Sequence, residues 1–149
     1  VEIPAMRLTG LRYEGSNANG EIPRLWDEQF LLRFREVVGN VETFNLYGVA
    51  RDLPGSEPGV FEYLAAGETH SEDAIPKGMI TWDVPGGLTA VLAADNVPNL
   101  GPVNEYFLQR WLPEHNWHLE SNGCYLLEVY PPEFSSTGII YLHFPVKRK

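Results

Sequence analysis

The chain has 149 residues, of which 44% are hydrophobic and 21% are charged, a composition typical of one globular domain. Its 20 acidic and 11 basic side chains give a formal net charge of −9, which disfavours binding to a nucleic-acid backbone. A single cysteine excludes an intrachain disulfide and favours a reducing compartment. Because neither a membrane-length apolar run nor a leader-like start is present, we expect a soluble cytoplasmic protein that does not bind a membrane.

Hydrophobic spacing in the first half of the chain predicts four elements. In chain order they are a strand in 3–15, a helix in 22–40, and two strands, in 42–53 and 59–70. The helix is indicated by Pro23, which suits a first helical turn, and by Trp26 and Phe30, which recur at helical spacing. The two strands flank a turn-rich segment, as expected of a hairpin.

The second half repeats the same order of elements. It contains a segment in 78–95, a helix in 101–116, and two strands, in 124–132 and 138–146. The segment 78–95 is either one long bent strand or a pair of strands broken at Pro85. The repetition predicts an α+β fold built from a duplicated strand–helix–strand–strand unit, with pseudo-repeats at about 1–75 and 76–149 in one domain. We expect one curved, mostly antiparallel sheet with two helices on one face and a ligand cleft on the other.

One carboxylate, that of Glu128, lies inside an otherwise apolar strand. Strict alternation places Cys124, Leu126, Glu128 and Tyr130 on one face, and Tyr125, Leu127 and Val129 on the other. Two interpretations remain open. Glu128 either turns to water at a sheet edge, or it lies in the wall of a pocket and needs a partner, because a buried unpaired carboxylate is costly.

Other aromatic residues are candidates for the same pocket. Phe61 and Tyr63 share a strand face, and Tyr141 shares a face with Ile139 and His143. Tyr130 shares the predicted face of Glu128. Trp26 and Trp111 lie on apolar helical stripes, which on spacing alone indicates the core, whereas Tyr106 lies off its stripe and would point to a cleft mouth.

The sequence predicts neither a metal site nor a cofactor. His115 and His118 lie on either side of Trp117 without a metal-binding pattern, and Cys124 has no catalytic signature around it. The glycines occur in turns and form no phosphate-binding loop.

Six segments in this order resemble the GyrI-like small-molecule-binding domains, which also form the effector-binding parts of AraC-type and MerR-type multidrug regulators. The segments are 22–30, 59–68, 78–87, 104–117, 125–132 and 141–147. The resemblance implies the duplicated fold and a cleft for lipophilic, often cationic aromatic compounds, with Glu128 as the cleft carboxylate and Trp26 and Trp111 as the helix tryptophans. Some stand-alone members of the family hydrolyse cyclopropane-bearing, DNA-alkylating natural products.

Three functions follow as hypotheses. The first is a binding module for hydrophobic, cationic or aromatic small molecules, in which the ligand-binding residues are Glu128, Tyr130, Tyr63, Phe61, Tyr106, Trp111, Trp26 and Tyr141. The second is a hydrolase in which Glu128 acts as acid or base, assisted by Tyr130. The third is a protein-interaction module whose aromatic cleft docks a partner. We expect no DNA binding by this chain alone, because no helix-turn-helix segment is evident.

Overall fold

The structure is a computed structural model that describes residues 1–39, 41–70, 72–120 and 123–149. Nine strands occur in these ranges. They are β1 Glu2–Ile3, β2 Met6–Gly15, β3 Leu46–Asp52, β4 Phe61–Glu68, β5 Ile80–Val84, β6 Gly87–Ala94, β7 Trp117–Leu119, β8 Cys124–Tyr130 and β9 Ile140–Arg148. The short strand β7 was not predicted from the sequence.

The first helical segment changes its winding along its length. It is α-helical at Glu21–Arg24, π-helical at Leu25–Phe30 and α-helical again at Arg35–Val38. Pro23 lies in the first turn, where its missing N–H removes no helical hydrogen bond. The segment stops at Gly39, whose φ of 61° is readily adopted by glycine. The predicted last residue, Asn40, lies outside the described residues.

The second helical segment follows the same plan. It consists of a 3₁₀ turn at Val97–Asn99, an α-helix at Leu100–Tyr106, a π-helix at Phe107–Trp111 and a final α-helical turn at Leu112–Glu114. The Asn96 side chain caps its start by accepting a hydrogen bond from the backbone N–H of Asn99 at 3.0 Å. A short unpredicted helix, Phe134–Thr137, lies between β8 and β9.

The strands form one antiparallel sheet whose order reflects the predicted duplication. Within the described ranges the order is β1-β6-β9-β8-β3-β4-β2-β5, and β7 pairs with the C-terminal part of β9. One unit contains β2, the first helical segment, β3 and β4, and the other contains β6, the second helical segment, β8 and β9. The units join where β3 pairs with β8. The α+β class and the curved antiparallel sheet are therefore confirmed.

The segment 78–95 forms two strands, the second of the two predicted alternatives. These strands do not form a hairpin, because β5 pairs with β2 whereas β6 pairs with β9 and β1. Pro85 separates them, since proline has no N–H to continue a ladder of hydrogen bonds. This segment thus links one end of the sheet to the other.

Both helical segments pack on one face of the sheet. Buried side chains of this face are Leu25, Phe30 and Phe107 from the helical segments, with Tyr63, Leu126 and Phe144 from the strands. The opposite face has a core of its own, which includes Leu8, Val49, Leu64, Trp82 and Leu127 and, among the described residues, no side chain of either helical segment. None of the described helices is both long and apolar enough to cross a membrane.

Two predicted details of the faces are wrong. The Glu128 side of the sheet is the helix-bearing face, and the cleft lies there rather than on the opposite face. The reason is that the sheet curls on itself, so the opposite face is filled by strand side chains.

The alternation along β8 also breaks at a β-bulge. Leu126 pairs with Ala50, but Cys124 rather than Tyr125 pairs with Arg51. The extra residue sends Tyr125 to the helix-bearing face and Cys124 to the opposite core.

Candidate functional site

A cleft of about 720 Å³ opens between the two helical segments above the centre of the sheet. Strands β3, β4 and β8 form its floor, where the lining residues include Phe61, Tyr63, Tyr125, Leu126, Glu128 and Tyr130. Its walls come from the N-terminal parts of both helical segments, through Ile22, Trp26, Asp27, Leu100 and Asn104. A volume of this size is typical of small-molecule sites.

Glu128 lies at the floor of this cleft and is 9% exposed. Its Oε1 atom accepts a hydrogen bond from the Tyr63 hydroxyl at 2.5 Å and another from the Tyr130 hydroxyl at 3.0 Å. The Tyr63 oxygen in turn accepts a hydrogen bond from Trp26 Nε1 at 2.9 Å. These four side chains, Trp26, Tyr63, Glu128 and Tyr130, are called the carboxylate network below.

The network leaves one oxygen of the carboxylate without a partner. Within the described part of the chain, both hydrogen bonds to Glu128 reach Oε1 and none reaches Oε2. Both donors are neutral hydroxyls, so among the described residues no cationic side chain pairs with the ionised form. Of the cleft-lining residues that the structure describes, the charged ones are Asp27 and Glu128, both acidic.

This environment changes the acidity of the network. Burial raises the pKa of the Glu128 carboxyl above its ordinary value, and the hydrogen bonds from Tyr63 and Tyr130 oppose that shift. Burial, together with the nearby carboxylate, raises the pKa of both tyrosine hydroxyls well above the usual range. The tyrosines therefore stay protonated and remain donors wherever Glu128 titrates.

Aromatic rings form a continuous wall beside the carboxylate. The Trp26 ring lies 5.0 Å from the Tyr130 ring between centroids, and Tyr130 meets Phe134 edge-on at 5.2 Å. Behind this wall, Trp26 packs edge-on against the buried ring of Phe30 at 5.3 Å. Such ring faces suit flat apolar ligands and desolvated cations.

Five of the eight candidate residues from the sequence line the cleft. These are Glu128, Tyr130, Tyr63, Phe61 and Trp26. The other three lie elsewhere. Trp111 stacks between Phe107 and His115. The Tyr106 and Tyr141 side chains are 50% and 37% exposed and do not line the cleft.

The sequence patterns do not predict several of the residues that line the cleft. Tyr125 was assigned to the other face because a β-bulge is invisible to strict alternation. Asp27, Leu100 and Asn104 lie on the cleft side of helical segments that were predicted to sit away from the cleft. Gly48 does not line the cleft, but it lies directly against the side chains of Tyr63 and Glu128. A signal for it was available, because a glycine inside a predicted strand often marks the close approach of another group.

Comparison with known proteins identifies a family and a set of similar structures. A family model described as the GyrI-like small molecule binding domain matches residues 1–147. The transcriptional regulator BrlR of Pseudomonas aeruginosa is 34% identical over 91 residues, which cover 61% of this chain and 32% of BrlR. The match thus spans about a third of that regulator's length.

Two solved structures share the fold. The structure of SAV2435 bound to tetraphenylphosphonium aligns with a TM-score of 0.70 at 14% identity, over 99% of this chain and 92% of that one. The C-terminal domain of EcmrR aligns with a TM-score of 0.67 at 12% identity, over 100% of this chain and 96% of that one. Together with the family match over nearly the whole sequence, these findings show that the chain belongs to the GyrI-like family of small-molecule-binding domains.

Proposed function

We propose that this chain binds lipophilic aromatic cations in the cleft between its helical segments, with Glu128 as the anionic anchor. The observation that carries the proposal is a buried carboxylate in an aromatic wall with no basic side chain among the described lining residues. A structural acid in such a place would normally be paired with a protein cation. Here the charge of the ionised form is left for a ligand to neutralise.

The walls of the cleft fit the same class of ligand. Trp26 and Tyr130 offer ring faces and edges beside the carboxylate, so a cation with aromatic substituents gains apolar contact and cation–π attraction together. The lining carboxylates Asp27 and Glu128 and the net charge of −9 both disfavour anions. Tetraphenylphosphonium, which is bound in the similar structure of SAV2435, has this chemistry.

A pair of isosteric ions tests the proposal. Tetraphenylphosphonium and tetraphenylborate have nearly the same shape and opposite charge. Titration of each into the protein, followed by calorimetry and by tryptophan fluorescence, is expected to show binding of the phosphonium and at least about tenfold weaker binding of the borate, a difference of about 1.4 kcal/mol or more. Equal affinities for the two ions would mean that the ligand is bound by apolar contact alone and that Glu128 is not an ionic anchor.

The carboxylate network also supports hydrolysis as a second candidate. A carboxyl with a raised pKa beside two hydroxyl donors is a suitable general acid or base for adding water to a strained cyclopropane ring. Incubation with a cyclopropane-bearing alkylating compound, followed by mass spectrometry, separates the two candidates. A water adduct formed over many turnovers identifies a hydrolase, whereas protection of the intact compound at one-to-one stoichiometry identifies a binding protein.

A further inference from the structure

Gly48 lies in the middle of the central strand β3, where a glycine is unfavourable. It pairs with Glu128 on one side and with Ala65 on the other. A strand-interior glycine loses more conformational entropy than other residues and packs no side chain. Its φ lies outside the left-handed region, unlike that of Gly39, so the backbone at this position does not require glycine. The requirement is therefore one of space.

The space beside Gly48 is occupied by the carboxylate network. A Cβ atom built on Gly48 would overlap the Tyr63 hydroxyl and also Oε1 of Glu128. Tyr63 belongs to β4 and Glu128 to β8, with β3 between them. The Tyr63 hydroxyl reaches Glu128 by crossing over the middle strand at the position that has no side chain.

We propose that Gly48 is a positioning residue of the ligand site. Its missing side chain leaves a space, called the passage below, in which the Tyr63 hydroxyl crosses β3 and donates its hydrogen bond to the Glu128 carboxylate. Trp26 Nε1 donates to the Tyr63 oxygen, so the Tyr63 proton is free to point at Oε1. Two donors on Oε1 fix the carboxylate and leave Oε2 for a ligand cation. This last step rests on the proposed function, whereas the passage itself does not.

The first test compares two glycines on the same face of the sheet. Gly48→Ala is expected to displace Tyr63 and to remove its hydrogen bond to Glu128. Gly67→Ala is the matched control, because a Cβ on Gly67 would meet the side chains of Val37 and Val38 at 3.0 Å, away from the network.

Carboxyl NMR titration of Glu128 measures the result without any ligand. Since the Tyr63 hydrogen bond lowers the Glu128 pKa, Gly48→Ala and Tyr63→Phe should each raise it, and Gly67→Ala should leave it unchanged.

A double variant tests whether Gly48 is needed to make room for the Tyr63 hydroxyl or only for general packing of the strand. Tyr63→Phe removes the hydroxyl that the new Cβ would strike first. Because Oε1 of Glu128 and the ring carbon at position 63 would still lie too close to the new Cβ, the relief is partial. Gly48→Ala should lower the unfolding midpoint less in the Tyr63→Phe protein than in the parent, and the Glu128 pKa of the double variant should be raised, as in either single variant. If Gly48→Ala alone does not fold, folding of the double variant supports the passage. Additive losses, or failure of both proteins to fold, would overturn it.

Tetraphenylphosphonium binding then tests the consequence for the ligand. Gly48→Ala and Tyr63→Phe are expected to weaken binding by a similar factor, on the order of tenfold, and the double variant by no more than either. If the parent does not bind the phosphonium, the proposed function fails while the titration and the folding measurements still decide the role of Gly48. If the parent binds and Gly48→Ala binds equally well, Gly48 does not position the carboxylate.

Discussion

The two helical segments share one plan but use their tryptophans differently. Each contains a π-helical stretch that includes a tryptophan, Trp26 in Leu25–Phe30 and Trp111 in Phe107–Trp111. Trp26 lines the cleft and donates a hydrogen bond to Tyr63. Trp111 stacks on the rings of Phe107 and His115, with centroid distances of 5.3 and 4.2 Å.

The strand beneath each segment accounts for the difference. Under the first segment, β4 presents the hydroxyl of Tyr63, which leads on to Glu128. Under the second, β9 presents Phe144, whose ring lies 4.0 Å from that of Phe107. The two tryptophans of the duplicated unit thus have different roles, one in the polar network of the cleft and the other in an apolar ring stack, although both helical segments contribute walls to the cleft.

The largest expected effect is on stability, at the second segment. Phe107 is fully buried in the ring stack, so Phe107→Ala should lower the free energy of unfolding by about 3–5 kcal/mol. Below the unfolding transition, tetraphenylphosphonium affinity should stay within about twofold of the parent value, because the side chain does not line the cleft. Chemical denaturation and calorimetry measure the two quantities. A large loss of affinity in the folded variant would show that the segments are not divided in this way.

The next effect is on binding, at the carboxylate. Glu128→Gln keeps the shape of the side chain and removes its charge. We expect tetraphenylphosphonium affinity to fall by a factor on the order of ten to a hundred, or about 1.4–2.8 kcal/mol, and stability to stay level or rise. Glu105→Gln is the matched control, since it makes the same charge change on an exposed residue of the second segment outside the cleft. Equal affinities for the Glu128→Gln protein and the parent would place the ionic anchor elsewhere.

A smaller effect compares the two tryptophans directly. Trp26→Phe removes the N–H donor to Tyr63 and should weaken cation binding by about three- to tenfold, corresponding to roughly 1 kcal/mol for a lost hydrogen bond. Trp111→Phe keeps a ring in its stack and should leave binding unchanged. Calorimetry on both variants makes the comparison. Equal losses would mean that Trp111 influences the cleft through the second segment.

The sequence predicted those features of the fold and the site that depend on patterns within one stretch of the chain. The repeated element order predicted the duplicated fold, and the isolated acid in an apolar strand pointed to Glu128. The side of the sheet on which the cleft lies was not predictable in this way, because alternation separates two faces without showing which one the helices cover. That choice depends on the curl of the whole sheet, which fills the opposite face with its own strands.

Tyr125 and Trp111 show two further limits. The bulge that turns Tyr125 into the cleft depends on the pairing of β8 with β3, which no single-strand pattern encodes. The equal helical spacing of Trp26 and Trp111 indicated similar roles, yet Trp26 donates to the Tyr63 hydroxyl whereas Trp111 stacks on the Phe107 ring. Contacts between distant elements decided both cases.

The smallest expected effect on stability comes from the titration of Glu128, and it disappears as the pH falls. Below the ordinary value of 4.5 the carboxyl is protonated in both folded and unfolded chains and costs no stability. Between 4.5 and the raised pKa of the folded state, the folded chain keeps a proton that the unfolded chain has lost, so stability falls as pH rises. Above that raised pKa the full cost is present, and Glu128→Gln should be the more stable protein.

Cation binding should depend on pH in the opposite direction. A phosphonium ion favours the ionised carboxylate, so its affinity should weaken as pH falls through the raised pKa, by at most about tenfold per pH unit for one linked proton. Tyr63 and Tyr130 remain protonated across this range because their pKa values are raised as well, so they continue to hold Oε1. Calorimetry in buffers of different ionisation enthalpy should detect the proton released on binding. The Glu128→Gln protein should release none and bind with a flat pH profile, and a profile parallel to that of the parent would assign the titration to another group.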